Sequence, residues 1–413
     1  MNILFVHQNF PGQFKHLAPA LANKGHHVKA LHVNACPPIN GVELIRYTIT
    51  GHPGQSTQRW LADLEVKTLR GEAAWQAGLQ LRHQGFVPDV IVAHPGWGES
   101  LFLHQVWPKA RMGIYCEFFY QERGADVGFD PEFNNQELGN SCRLQMKNAN
   151  YELHFPRAHG GISPTKWQSS LFPQPFASRI SVIHDGINTK FIKPDENARI
   201  YLNTQLGSLQ LSRSDEVITF ISRNLEPYRG YHQFMRALPI ILQQRPKAQV
   251  ILVGGNDASY GSTPPQNPKG QRQTWRDIFL NEVKNELDMS RVHFVGKIPY
   301  KDFLQVLQVS TVHVYLTYPF VLSWSLLEAM SAGCAIVASD TAPVREAITH
   351  GENGLLVDFF DHAALARNVI ELCNDPLKRE KMGLQARLFA EENYDLENHC
   401  LPRQIEWVMR LAE

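Results

Sequence analysis

Short β-branched runs alternate with longer amphipathic stretches along this 413-residue chain, and the alternation runs through twice. In the first pass Ile3–His7, Val28–Val33, Val90–Ala93, Met112–Cys116, Gly161–Ser163 and Ser181–Ile183 read as strands. Phe14–Lys24 reads as a helix with Leu17, Ala18, Leu21 and Ala22 on one face and Gly25 as its stop. A polar stretch, Asn188–Asp215, interrupts the pattern and reads as a linker. The second pass offers strands at Val217–Ser222, Gln249–Gly254, Val292–Val295, Val312–Leu316, Ala335–Ala338 and Gly354–Val357, with helices such as Tyr231–Gln244 and Lys301–Val309 between them. Strands that alternate with helices predict parallel sheets covered on both faces, hence an α/β chain of two doubly wound halves. Such halves bind ligands at the carboxyl ends of their strands, here in a cleft between the two.

Composition narrows the function. Lys and Arg number 40 against 40 Asp and Glu, so no global basic field points to nucleic acid. Six cysteines lie far apart without a Cys-x-x-Cys pair, which fits a reducing compartment and no zinc site. The opening MNILFVHQNF has a short apolar run and no basic leader, and no run approaches the roughly 18 residues of a membrane span. A cytoplasmic enzyme is the expectation. Ser259–Arg272, rich in Pro, Gly, Ser and Asn, reads as an exposed, mobile loop, and Asp126–Asn140 as an irregular polar stretch.

Two segments carry the chemistry. In SRNLEPYRG, Arg223 and Arg229 sit on a turn just after a strand. Guanidinium groups stay charged and donate in a planar fork that matches phosphate oxygens. In YPFVLSWSLLEAMSAGC a loop opens into a helix with Glu328 near its start. The amides of Ser323, Trp324 and Ser325 would meet a phosphate at the positive helix end, and Glu328 would accept from the vicinal hydroxyls of a ribose. Ser325-Leu326-Leu327-Glu328 also fits an S-x-x-E capping box, in which Glu328 merely closes its own helix. Together the segments describe a grip for a nucleoside diphosphate.

These residues resemble the retaining glycosyltransferases of family 4. SRNLEPYRG resembles the family's Arg-x5-Lys-Gly segment, and LLEAMSAGCAIVASDTAPVREAITHGENGLLV the second half of its E-x7-E region. VHFVGKIP resembles its nucleobase-contacting turn, VIHDGINTKFIKP its interdomain segment, and the first 28 residues its N-terminal unit. The resemblance implies a GT-B fold: an acceptor-binding domain over 1–187, a nucleotide-sugar-binding domain over 188–395, and a last segment, 396–413, packing back on the first. Carried over by residue, Arg223 and Arg229 would bind the diphosphate, Glu328 the ribose, and Lys297 and Ile298 the base. Gly12 and Gln13 would close a glycine turn over the phosphate. Three departures stand out: Phe320 occupies the place of the first motif glutamate, Arg229 that of a lysine, and the first loop has one glycine, Gly12, where two are common.

In the acceptor half, His94 and Glu117 follow strands and would face the acceptor or sugar, Glu117 where the family often has a sugar-contacting histidine. A carboxylate there asks for a partner such as Arg123 or a substrate hydroxyl. Asp126 and Asp130 read as solvated loop acids, and Asp185 as a residue within reach of the cleft. No paired aspartates suit a metal, so none is expected, nor any cofactor beyond the nucleotide-sugar substrate. The implied reaction moves a sugar from a UDP- or GDP-linked donor to a saccharide or lipid-linked acceptor, with retention, for a cell-surface polysaccharide. A lipid-linked acceptor would bring the enzyme to the inner membrane face, where Arg59–Arg82 offers modest basic content on an ordinary amphipathic helix. The alternatives are a non-hydrolysing sugar-nucleotide epimerase and a nucleotide-sugar-binding protein that has lost catalysis, a reading that Phe320 keeps open.

Overall fold

The computed structural model describes residues 1–54, 58–133, 139–204 and 207–413. The chain forms two compact units, Met1–Gly186 with Leu396–Glu413, and Ile187–Asp395. The first holds a seven-stranded parallel sheet: β1 (Asn2–Val6), β2 (His27–His32), β3 (Val42–Arg46), β4 (Val90–Ala93), β5 (Arg111–Tyr115), β6 (Gly160–Ser163) and β7 (Ile180–Val182). Their order is β3-β2-β1-β4-β5-β6-β7. Successive residues of β1 feed opposite faces, Ile3 and Phe5 one core cluster, Leu4 and Val6 another. With both faces covered, the strand is a continuous apolar run. The long helix Ala62–His83 packs on the face of Leu4. The final helix, Leu401–Ala412, sets Trp407, Val408 and Leu411 on the face of Ile3.

Ile187–Asp395 repeats the winding. An antiparallel hairpin, β8 (Arg199–Thr204) and β9 (Gly207–Ser212), precedes six parallel strands. These are β10 (Val217–Asn224), β11 (Gln249–Gly255), β12 (Val292–Gly296), β13 (Val312–Tyr315), β14 (Ile336–Ser339) and β15 (Leu355–Val357), ordered β12-β11-β10-β13-β14-β15. In both sheets the order turns back beside the first strand, at β1/β4 and at β10/β13. The loops leaving these strands splay apart there and leave room for a ligand.

Several expectations change. The stretch Asn188–Asp215 is not simply a linker: Ile200 pairs with Leu211 and Leu202 with Leu209, and both pairs feed the core of this unit. The period-2 pattern of IYLN and SLQLS carries that signal. β3, a strand the sequence does not announce, occupies the sheet edge, with only Val42 buried. The helix expected over Phe14–Lys24 splits into a 3₁₀ turn, Gly12–Phe14, and a helix, Leu17–Asn23. In Ala62–His83, Lys67 is buried and paired with Asp63 at 2.7 Å, so this helix spends part of its basic content inside the protein. Asp126 and Asp130 are buried rather than solvated. The polar stretch around them lies only partly in the described residues, since 134–138 fall outside. No described helix is long and apolar enough to cross a membrane.

Candidate active site

In the second unit, β10 runs out at Asn224 and the chain turns through a 3₁₀ turn, Pro227–Arg229, into the helix Tyr231–Gln244. Gly230 joins turn and helix at φ +70°, and a Cβ there would lie 2.3 Å from that of Leu316, so the turn requires glycine. The turn delivers Arg229 inward. Its side chain is buried, its Nη1 donates to Thr317 Oγ1 at 2.7 Å, and its guanidinium lies 5.3 Å from the Tyr260 ring. Arg223, the other half of the expected clamp, is exposed. The two arginines therefore differ: one is fixed beneath the loop after β13, the other is on the surface.

Phe320 shows what replaced the missing carboxylate. It is buried, 5.2 Å from the rings of both Tyr228 and Tyr260. The Tyr318 ring lies 4.7 Å from that of Tyr228, tilted by 33°. An aromatic cluster thus stands where the resemblance placed an acid.

The helix Trp324–Ser331 starts from Ser323 as its N-cap, two residues earlier than a capping box on Ser325 needs. Glu328 is therefore in the second turn, and its Oε1 accepts from the Tyr300 hydroxyl at 2.6 Å. Burial, and then the charge of Glu328, push the Tyr300 phenol above its ordinary pKa. Of the three amides expected to face a phosphate, that of Ser323 donates to the Tyr315 hydroxyl at 3.1 Å, which corrects its assignment as a free donor. The Ser323 and Ser325 hydroxyls bond each other at 3.0 Å, and Trp324 is exposed. Lys297 is exposed and paired with Asp257 at 3.1 Å, while Ile298 packs against the core. Ser259 and Tyr260, the start of the loop expected to be mobile, are tied down: their amides donate to Glu226 Oε2 at 2.9 and 3.4 Å.

The first unit gathers different chemistry at β1, β4 and β5. His7 follows β1 and accepts the Asn9 amide on Nδ1 at 2.9 Å. Its proton is therefore on Nε2, which donates to Gln13 Oε1 at 2.8 Å. Gln13 in turn donates to Glu117 Oε1 at 3.4 Å. His94 follows β4, accepts the Gly96 amide on Nδ1 at 3.2 Å, and faces Glu117 Oε2 from 3.5 Å, an electrostatic contact rather than a formed hydrogen bond. One carboxylate, 38% exposed, is thus flanked by Gln13 and His94, from the loops after β1 and β4. Arg123, the partner the sequence offered, is exposed. Burial, with His94 close by, pulls the His7 imidazole down to about 3. Gly12 has φ +47°, and a Cβ there would lie 2.3 Å from His7 Nε2, so the turn closes over the imidazole only as glycine. Asp185 is buried and accepts the Tyr115 hydroxyl on both oxygens at 3.0 Å.

Residues 24–192 match the family described as Glycosyl transferase family 4 group, and residues 208–389 match Glycosyl transferases group 1. The chain belongs to the family 4, group 1 glycosyltransferases. D-inositol 3-phosphate glycosyltransferase of Corynebacterium efficiens is 26% identical over 212 residues, 50% of this chain and 46% of that protein. The chain spans about half the length of the curated relatives it matches. Among solved structures, sucrose-phosphate synthase from Thermosynechococcus elongatus superposes with a TM-score of 0.72 at 17% identity, covering 99% of this chain and 98% of that one. HepE of Anabaena, in complex with UDP-glucose, gives 0.67 at 17% identity, covering 99% of both chains. These likenesses establish the GT-B fold, two Rossmann-like domains.

Within this family member, sequence reasoning missed Thr317, Tyr260 and Tyr300, the immediate neighbours of Arg229 and Glu328. It missed His7 as well, although a histidine at the end of a first strand was a readable signal. It also missed Glu99, fully buried, with neither oxygen partnered among the described residues and its carboxyl pushed up to about 7 by burial.

Proposed function

We propose that this protein is a retaining glycosyltransferase that moves a sugar from a UDP- or GDP-linked donor to a saccharide or lipid-linked saccharide acceptor, in the making of a cell-surface polysaccharide. The observation that carries the reading is the buried Arg229 at the turn-back of the second sheet, bonded to Thr317 and on the same carboxyl-end side as Glu328. Arg229 takes the charge that develops on the departing diphosphate, with Arg223 added from the surface; preorganised donors at such a point lower the barrier most. Glu328, already oriented by Tyr300, accepts from the ribose hydroxyls. Lys297 and Ile298 border the base. In the first unit Glu117, flanked by Gln13 and His94, receives the acceptor's hydroxyls, and Gly12 closes the turn above His7. With guanidinium charge in place, no divalent metal is required for turnover.

The test is a panel of sugar nucleotides in excess chelator, followed by proton NMR of the product's anomeric signal. Acceptor-dependent release of nucleoside diphosphate with the donor's configuration kept supports the proposal. An inverted linkage, or full dependence on magnesium or manganese, overturns it. A sugar changed without diphosphate release points to an epimerase. The aromatic Phe320 favours a second reading, a nucleotide-sugar-binding protein without catalysis, which shows thermal stabilisation by the donor and no turnover.

A further inference from the structure

We propose that Glu226 is a positioning residue for Arg229, acting through the start of the loop after β11 and the ring of Tyr260. The inference rests on the donor-site reading above and adds to it a mechanism for holding the arginine. Glu226 lies inside the arginine turn, yet it is fully buried. Its Oε2 accepts the amides of Ser259 and Tyr260. Oε1 has no partner among the described residues. Two further bonds join the same pair of loops: Asn224 Nδ2 donates to Ser259 Oγ at 2.5 Å, and the Leu225 amide to Gly255 O at 2.9 Å. The turn after β10 and the loop after β11 therefore move as one piece.

The consequence falls on Tyr260. With its backbone pinned, its ring stands 5.3 Å from the Arg229 guanidinium while remaining 40% exposed. An aromatic face attracts a guanidinium without neutralising it. Thr317 fixes the other contact through a neutral hydroxyl. Where the family pattern has a glutamate, this chain has Phe320, packed under Tyr260. The arginine is thus oriented by a ring and a hydroxyl, with the Glu226 charge acting on it through space and not through a hydrogen bond, which leaves guanidinium donors for an anionic ligand and meets the ordering cost before that ligand arrives.

The experiment titrates UDP and GDP into the full chain by calorimetry, for the wild type and for Glu226→Ala, Glu226→Gln, Tyr260→Ala, Tyr260→Phe and the double alanine variant. Glutamine still accepts the two amides, and phenylalanine still offers a ring face. The expected result is a loss of roughly tenfold or more in affinity for each alanine variant, with the glutamine and phenylalanine variants near wild type. The double variant should be no weaker than either single, because both residues act along one path. Tyr260→Ala alters an exposed side chain, so it remains decisive where Glu226→Ala fails to fold. Wild-type binding with unchanged affinity in Tyr260→Ala, or additive losses in the double variant, overturns the inference alone. A wild type that binds neither nucleotide overturns the donor-site reading and the inference with it.

Discussion

The two units wind their sheets in the same order yet equip the turn-back point differently. In Met1–Gly186 it holds His7, His94 and Gln13 around one half-exposed carboxylate, Glu117. In Ile187–Asp395 it holds a buried guanidinium, a hydroxyl and an aromatic cluster. The winding determines where a ligand sits, and the loop residues determine which ligand. Imidazoles, an amide and a carboxylate suit an uncharged polyol, whereas a cation held without a carboxylate bonded to it suits a diphosphate.

The sharpest way to break this contrast is Arg229→Ala. Loss of one preorganised donor at developing charge costs about 2.7–4 kcal/mol, or 10²–10³ in kcat. Arg229→Lys should keep part of the activity, since the charge stays while the fork is lost. Full activity in steady-state assays of Arg229→Ala would remove the assignment of the phosphate to the second unit.

Acid should separate the units next. Burial pulls His7 and His184 to about 3 and His154 to about 4 in the first unit, and His313 to about 3 in the second. These imidazoles take up protons near 6.5 when unfolded and only near 3–4 when folded. The unfolded state therefore binds more protons in that window, and stability falls as pH drops below about 6.5. Glu99, pushed up to about 7 in the first unit, has the opposite sign: its folded state binds the extra proton, so its contribution is present in acid and lost as pH rises through about 7. Glu226 is also raised by burial and acts in the same sense in the second unit. At pH 5.5 each such histidine costs about 1.4 kcal/mol, and the first unit carries the larger uncompensated share. Hydrogen exchange by mass spectrometry at pH 5.5 should show the first unit opening before the second; equal protection would contradict it.

Glu328→Ala is the next effect in size. Loss of a hydrogen bond to a charged group is worth about 1.5–3 kcal/mol, so nucleoside diphosphate should bind ten- to a hundredfold more weakly with the melting temperature kept. An earlier melt with normal binding would make Glu328 a structural residue paired with Tyr300. The smallest effect belongs to Glu117→Gln, which keeps the shape and removes the charge. It should raise the acceptor KM by an amount worth about 1 kcal/mol, while calorimetry shows nucleotide affinity unchanged. A weaker nucleotide affinity would dissolve the division of labour between the units.

Much of this was legible along the chain. Strand–helix alternation is a local property of apolar spacing, so the α/β class and its two halves could be read directly. The turn position of Arg229 and the helical place of Glu328 follow from sequence neighbours in the same way, whereas Arg223, expected on the turn, belongs to the last residues of β10. The hairpin β8–β9 was readable too, since Ile200, Leu202, Leu209 and Leu211 alternate, but the polar residues between them masked the pattern.

What sequence could not supply is the company each residue keeps. Arg229 is buried and Arg223 exposed although they lie six positions apart, because a 3₁₀ turn and Gly230 swing one inward beneath the loop that carries Thr317. Tyr300 reaches Glu328 across 28 residues, and Glu226 holds amides 33 and 34 residues away. Gln13 meets Glu117 only because the sheet sets β1, β4 and β5 side by side. Apolar periodicity is written locally and survives in one dimension, so the amino-acid sequence alone determined the class of fold and the family. Burial, hydrogen-bond partners and charge compensation depend on segments that meet only when the chain closes on itself, and those the tertiary structure decided.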